Sequence, residues 1–257
     1  TMPWIAAPLS IIQSEASEAN IGTLRKLNKI LQTAKATCTT PMVLHRHRAP
    51  CAVTYSDAAW GCRRDGSSQG GYLCFMADRE FATGTEGPLS LLGWGSGKLT
   101  RVARSSLAAE VQAATDGQEE REFIRLVISD LLFGPLDSAR AQQHVLHVPG
   151  VLIPDCKALW DGLARSESSA LGMKDNRVAI EALALKRTLE ATDTQLSWVH
   201  SLAQLADCMT KDSPRGRDVF LKFAKTDLWR LVYDPKFKSA RKRAAKGLEI
   251  PAAPPEL

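Results

Sequence analysis

The chain has 257 residues, 44% hydrophobic and 24% charged, so a packed globular core is expected. No run of about 18 apolar residues occurs, which excludes an obvious membrane-spanning helix. The net charge of +5 is uneven: residues 1–50 hold six Lys/Arg against two Asp/Glu, residues 211–257 hold twelve against six, and the middle holds fifteen against twenty.

Basic ends suit a polyanionic partner, and an acidic middle suits bound cations. The start at Thr1, with nothing resembling a cleavable signal, reads as a piece of a longer product. Residues 1–50 read as a remnant of an upstream domain or a loose lead-in (Thr1–Ala19, with Pro3 and Pro8) and a connecting helix over Ile21–Ala34, where Leu24, Leu27, Ile30 and Leu31 share a face expected to pack on a core. Six cysteines lack any C-x-x-C pair or regular framework, which predicts free thiols in a reducing compartment.

Cys51–Asp57 is predicted as the first strand, with Val53, Tyr55 and Asp57 on one face. A turn at Asp65-Gly66 leads to a second strand, Gly71–Ala77, and a third at Pro88–Trp94, an antiparallel meander. A long helix follows from about Ser106 to Leu132, with Ser105 or Ser106 as N-cap. His144–Ile153 is predicted as a fourth strand, which would put His144 and His147 on opposite faces. Asp155–Ala164 and Lys174–Leu189 are predicted helices, Gln195–Val199 a fifth strand, and Leu202–Lys211 a closing helix. Arg215–Leu231 reads as one more helix, followed by a basic stretch from Lys236 to Lys246 and a Pro-rich end. The expected fold class is α/β: a five-stranded mixed sheet, antiparallel over its first three strands, with helices on both faces.

Four acids stand in places that ask for a reason. Asp57 continues a face otherwise built from Val and Tyr, so its charge needs a partner, a metal or a proton. Glu110 shares a helical stripe with Leu107, Val111 and Ala114. A buried ion pair with an arginine would also account for it. Asp155 follows the fourth strand and opens a helix, where an N-cap is the simpler use and a site at a strand's carboxyl end the other. Asp207 lies on the polar face of the last helix, a solvated position when taken alone. Together the four can converge on one sheet edge, where divalent cations relieve carboxylate repulsion.

Four stretches in order carry a family resemblance: TYSDAAWG, GWGSGKLTRVARSSLAAEVQA, IPDCKALWDGL and LSWVHSLAQLADCMTK. They resemble the motifs of the ribonuclease H domain at the carboxyl end of the Pol polyprotein of copia-type LTR retrotransposons, and they cover roughly residues 53–211. Each holds its acid. The resemblance implies a ribonuclease H-like domain over residues 51–211 and a C-terminal helix with a basic, Pro-ending tail over 212–257. It implies that Asp57, Glu110, Asp155 and Asp207 are catalytic and bind two Mg²⁺ ions, with Mn²⁺ able to substitute. It implies cleavage of the RNA strand of an RNA/DNA hybrid, with a polymerase domain upstream in the same polyprotein and no membrane. The setting implied is intracellular, in a cytoplasmic retrotransposon particle or the nucleus.

Arg104, Ser105 and Ser106, near a helix N-terminus, are candidate contacts to a backbone phosphate, as is Lys157; for the serines, a plain cap is the competing use. Two departures from the family pattern stand out. Pro154 precedes the third acid, where its fixed φ and missing N–H are expected to shift the Asp155 carboxylate. His200 is the histidine before the last acid, and a structural role is the simpler one for it. The alternative function is a catalytically decayed or repurposed module that binds nucleic acid or connects domains without cutting.

Overall fold

In the computed structural model, residues 2–135, 138–164, 173 and 175–232 are described. The main sheet has five strands: β1 (Pro50–Ala59), β2 (Gln69–Asp78), β4 (Ser90–Lys98), β5 (Gly150–Pro154) and β6 (Thr194–Leu196), in the order β4-β2-β1-β5-β6. β1 pairs antiparallel with β2, and β2 with β4. β5 runs parallel to β1, and β6 parallel to β5. A second, two-stranded sheet joins β3 (Gly87–Pro88) to β7 (Leu228–Trp229). The helices are α1 (Ala6–Ser14), α2 (Ile21–Ala36), α3 (Ser106–Phe133), α4 (Ala141–Leu146), α5 (Lys157–Leu163), α6 (Asn176–Ala191) and α7 (Pro214–Thr226). Three antiparallel strands followed by two parallel ones, with helices on both faces, make the ribonuclease H-like α/β arrangement expected of the sequence.

The sheet divides its side chains by the period of two. Val53, Tyr55, Leu73 and Phe75 point into one core, where they meet Leu205, Met209, Phe220 and Phe223. Ala52 and Cys74 point the other way, against Ile124 and Ile128 of α3. Beside them Leu152 of β5 packs with Val111 and Ala114 of α3, Leu159 of α5 and Leu185 of α6. Burying a Phe or Leu side chain in such a layer contributes about 1.5–3 kcal/mol. Gly117 lets α3 lie close on the sheet: a Cβ there would fall 2.9 Å from Thr54 Cγ2 and 3.0 Å from Tyr72 Cβ.

Several sequence-based expectations are corrected. The segment over residues 2–19 is largely helical rather than a loose lead-in. Its helical residues pack on the first core, with Trp4 2% exposed, its ring 5.8 Å from that of Phe220 and its indole N–H donating to Thr37 Oγ1. The strand predicted over His144–Ile153 begins only at Gly150, because residues 141–146 are helical. His144 and His147 therefore face one another, rings 5.3 Å apart, as i and i+3 do on a helical turn. The predicted third strand, Pro88–Trp94, is displaced: Gly87 and Pro88 pair with the C-terminal Leu228–Trp229, and the sheet strand runs on to Lys98. The predicted helix over Leu202–Lys211 is two 3₁₀ turns, Ser201–Ala203 and Leu205–Met209. The predicted helix over Arg215–Leu231 stops at Thr226, where Asp227 adopts a left-handed conformation (φ 56°) and turns the chain into β7. The basic stretch Lys236–Lys246, the Pro-rich end and the predicted helix start at Lys174 lie outside the described residues.

Candidate metal centre

Four elements meet at the carboxyl ends of β1 and β5, the place where open α/β sheets put their sites. Asp57 stands near the end of β1, paired in register with Gly71 of β2. Because Gly71 has no side chain, the second 3₁₀ turn presses onto the sheet beside Asp57. A Cβ at 71 would lie 2.8 Å from Met209 O. That approach places Thr210 and Lys211 over the carboxylate. Thr210 donates its hydroxyl to Asp57 Oδ2, and the Lys211 ammonium lies 3.3 Å from the same oxygen.

Gln204 fastens the segment to the sheet. It is 1% exposed, and its amide donates to Ser56 O at 2.9 Å and Ile153 O at 3.4 Å, while its carbonyl accepts from Ala206 N at 3.1 Å. Its partners are the strand residues next before Asp57 and two before Asp155. A buried amide with its bonding capacity used in this way fixes backbone geometry far better than a solvated one.

Glu110 lies in the second turn of α3, whose start is fixed by the Ser105 side chain accepting from Ala108 N at 3.1 Å. Asp155 follows β5 directly and accepts a hydrogen bond from Ser201. One carboxylate oxygen from each of Asp57, Glu110 and Asp155 lies within 4.8 Å of the others, the one such acid group among the described residues. Asp57 is 2% exposed and Glu110 8%.

Three carboxylates so close, two of them buried and Asp155 half-buried, cannot all be charged without help. Burial first, then the Asp155 charge, pushes Asp57 up to about 6, against the pull of Lys211 and Thr210. Glu110 is held well above the usual carboxylate range by burial and by the charges of Asp57 and Asp155, partly offset by a backbone hydrogen bond from Ala58. Asp155 is raised by burial, with Ser201 and Lys211 acting against it. Glu110 Oε2 is buried and has no hydrogen-bond partner. A buried oxygen left over in a ring of hard oxygen donors is what a divalent cation would fill, so this triad fits a metal ion.

The other expected site residues divide. Asp207 is not part of the triad. Its Oδ1 lies 2.5 Å from Lys211 Nζ, and Lys211 thus bridges it to Asp57. Gly216 at the start of α7 leaves room for it, since a Cβ there would lie 3.1 Å from the Asp207 carbonyl carbon. Asp155 is no N-cap: α5 begins at Lys157 after Cys156, with no side-chain cap. Pro154 does not displace Asp155 from the cluster; it ends β5 opposite Ser56, and its carbonyl still accepts from Val199 N at 3.3 Å. Among the described residues no arginine pairs with Glu110.

Ser105 is the cap of α3, Ser106 is its exposed first residue, and Arg104 is exposed beside them. Lys157 bonds Asp161 at 2.5 Å and lies 4.7 Å from the Trp160 ring centre, so its charge is already engaged. His200 accepts from Leu202 N at 3.1 Å through Nδ1, the structural use expected of it. Thr210, Lys211, Gln204 and Ser201 were not singled out by the sequence. The available signal was the polar pair Thr210-Lys211 directly after the apolar run ending at Met209.

Sheet order and acid cluster together define a ribonuclease H-like α/β domain with a candidate metal centre. No protein-family model and no curated protein matches the chain. Among solved structures it is similar to the prototype foamy virus protease–reverse transcriptase, native form, at 15% identity and a TM-score of 0.34, over 72% of this chain and 21% of that one. The selenomethionine-labelled CSH mutant of the same protein aligns at 14% identity and a TM-score of 0.34, over 75% of this chain and 22% of that one. The chain thus spans about a fifth of the length of those proteins. Among the described residues no helix is long and apolar enough to cross a membrane.

Proposed function

We propose that this chain hydrolyses the RNA strand of RNA/DNA hybrids, as the ribonuclease H part of a copia-type retrotransposon Pol polyprotein with its polymerase upstream, inside the cell. The observation that carries the reading is the triad: Asp57, Glu110 and Asp155, drawn from β1, α3 and the end of β5, with Glu110 Oε2 buried and unpartnered. The first three of the four sequence motifs hold these acids in the same order, and the fourth holds Asp207.

Mg²⁺ is the proposed ion, two per site as the family resemblance implies, and bound there it would acidify a water for attack on phosphorus and offset charge on the leaving oxygen. The chain's own residues do the rest. Asp57, Glu110 and Asp155 provide the ligand oxygens, and Asp207 stands next to them as a fourth acid. Thr210 and Gln204 hold Asp57 and its strand end in place. Lys211 limits repulsion between Asp57 and Asp207. Ser105, Ser106 and Arg104, at the start of α3, would seat a backbone phosphate where the helix dipole favours an anion. Water oxygen bonds to phosphorus, the P–O3′ bond breaks, and the products are a 3′-hydroxyl and a 5′-phosphate. The ribose 2′-hydroxyl would mark the strand to be cut.

The test is to offer the protein, with Mg²⁺, an RNA/DNA hybrid and the matched DNA and RNA duplexes. Cutting restricted to the RNA of the hybrid is expected; an uncut hybrid would overturn the reading. One observation favours a second reading, binding without cleavage: the Lys211 ammonium already neutralises part of the cluster. That reading predicts hybrid binding that persists in EDTA and no cutting.

A further inference from the structure

We infer that Trp60 contacts the polynucleotide, its indole packing on the strand beside the metal centre; this rests on the function proposed above. Trp60 follows β1 and is 54% exposed. A single exposed aromatic is ordinary, so its setting decides. Its indole N–H donates to Ala103 O at 2.8 Å, which uses the ring's one polar atom and ties it to the loop that leads into α3. What remains toward solvent is apolar ring surface held at a fixed place.

That place is next to the acids. Trp60 lies three residues after Asp57, about 10 Å along an extended chain. Ala58, two residues before it, bonds the Glu110 carboxylate through its N–H. On the loop side, Val102 is 92% exposed, and Arg104 is exposed with no hydrogen bond or ion pair among the described residues. A pinned aromatic, an exposed aliphatic and an unpaired guanidinium in a row suit a ligand with flat apolar faces and regularly spaced negative charges. An RNA/DNA hybrid has both along its grooves, where the apolar faces of its sugars lie between regularly spaced phosphates, and such contacts do not depend on the sequence.

The experiment compares wild type, Trp60→Ala and Trp60→Phe for cleavage of a labelled RNA/DNA hybrid and for binding of a hybrid whose RNA strand is 2′-O-methylated. Trp60→Ala is expected to raise KM and Kd about tenfold, with kcat within about twofold, and Trp60→Phe to return both to within about threefold of wild type. Hybrid binding is also expected to quench tryptophan emission in wild type and to quench it less in Trp60→Phe, a readout that survives if Trp60→Ala fails to fold. Affinity unchanged in Trp60→Ala, or quenching unchanged in Trp60→Phe, overturns the inference while leaving the nuclease reading intact. A wild type that neither binds nor cuts the hybrid overturns both.

Discussion

Asp57→Asn is expected to make the metal-free protein more stable at pH 8 while destroying the metal centre. Asp57 is nearly inaccessible and its carboxyl is pushed from 3.8 to about 6 by burial and by Asp155. At 1.36 kcal/mol per unit, this shift corresponds to about 3 kcal/mol of destabilisation when the group is ionised. Because the folded-state value is raised, the native protein binds more protons than the unfolded chain between about pH 4 and 6. Stability therefore rises as pH falls through 6 and is lost as pH rises through it. Asparagine removes the charge and keeps an oxygen to accept from Thr210. The attraction to Lys211, which is 44% exposed, is already contained in that net shift. Urea denaturation in EDTA should show the variant about 1–3 kcal/mol more stable at pH 8 and the gap narrowing at pH 5. Added Mg²⁺ should stabilise wild type by mass action and leave the variant unmoved. A variant less stable than wild type at pH 8, or a gap that widens on acidification, would refute the reasoning.

Other perturbations separate the parts of the site. Lys211→Met removes the cation that competes for Asp57, so Mn²⁺ affinity measured by calorimetry should rise about tenfold; unchanged or weaker binding would contradict that role. Asp207→Asn, outside the triad, should leave Mn²⁺ affinity within about threefold of wild type while lowering cleavage, and loss of all binding would make Asp207 a primary ligand. Gly71→Ala would drive a methyl into Met209 and should cost about 1–3 kcal/mol in thermal denaturation, with weakened metal binding as the 3₁₀ turn shifts. A variant as stable as wild type would show that the close approach is not needed.

The strands were legible where one face alone is coherent. Val53, Tyr55 and Asp57 alternate as β1 requires, and Glu110 stands in the buried stripe of α3 as its spacing indicates. The misreadings have physical causes. Residues 141–149 mix β-branched residues with a short helix that tertiary context selects. The Leu202–Met209 stripe fits a helix, but Gln204, inserted between the ends of β1 and β5, enforces 3₁₀ turns instead. Asp207 stands next to the triad, close enough for its charge to raise Asp57 and Asp155, and is ion-paired to Lys211. Arg121 and Arg125 of α3, both 0% exposed, were not singled out by the sequence. Arg125 bonds Val148 O and Thr192 O and ties α3 to the chain beneath β5 and β6. Such bonds depend on carbonyls remote in sequence.

The most direct test of the central claim is cleavage of an RNA/DNA hybrid, labelled on each strand, by wild type and Asp57→Asn in Mg²⁺. The account predicts that wild type cuts the RNA and spares the DNA, leaving 5′-phosphate ends, and that Asp57→Asn cuts neither. An intact hybrid with wild type, or cutting that survives in Asp57→Asn, would contradict it.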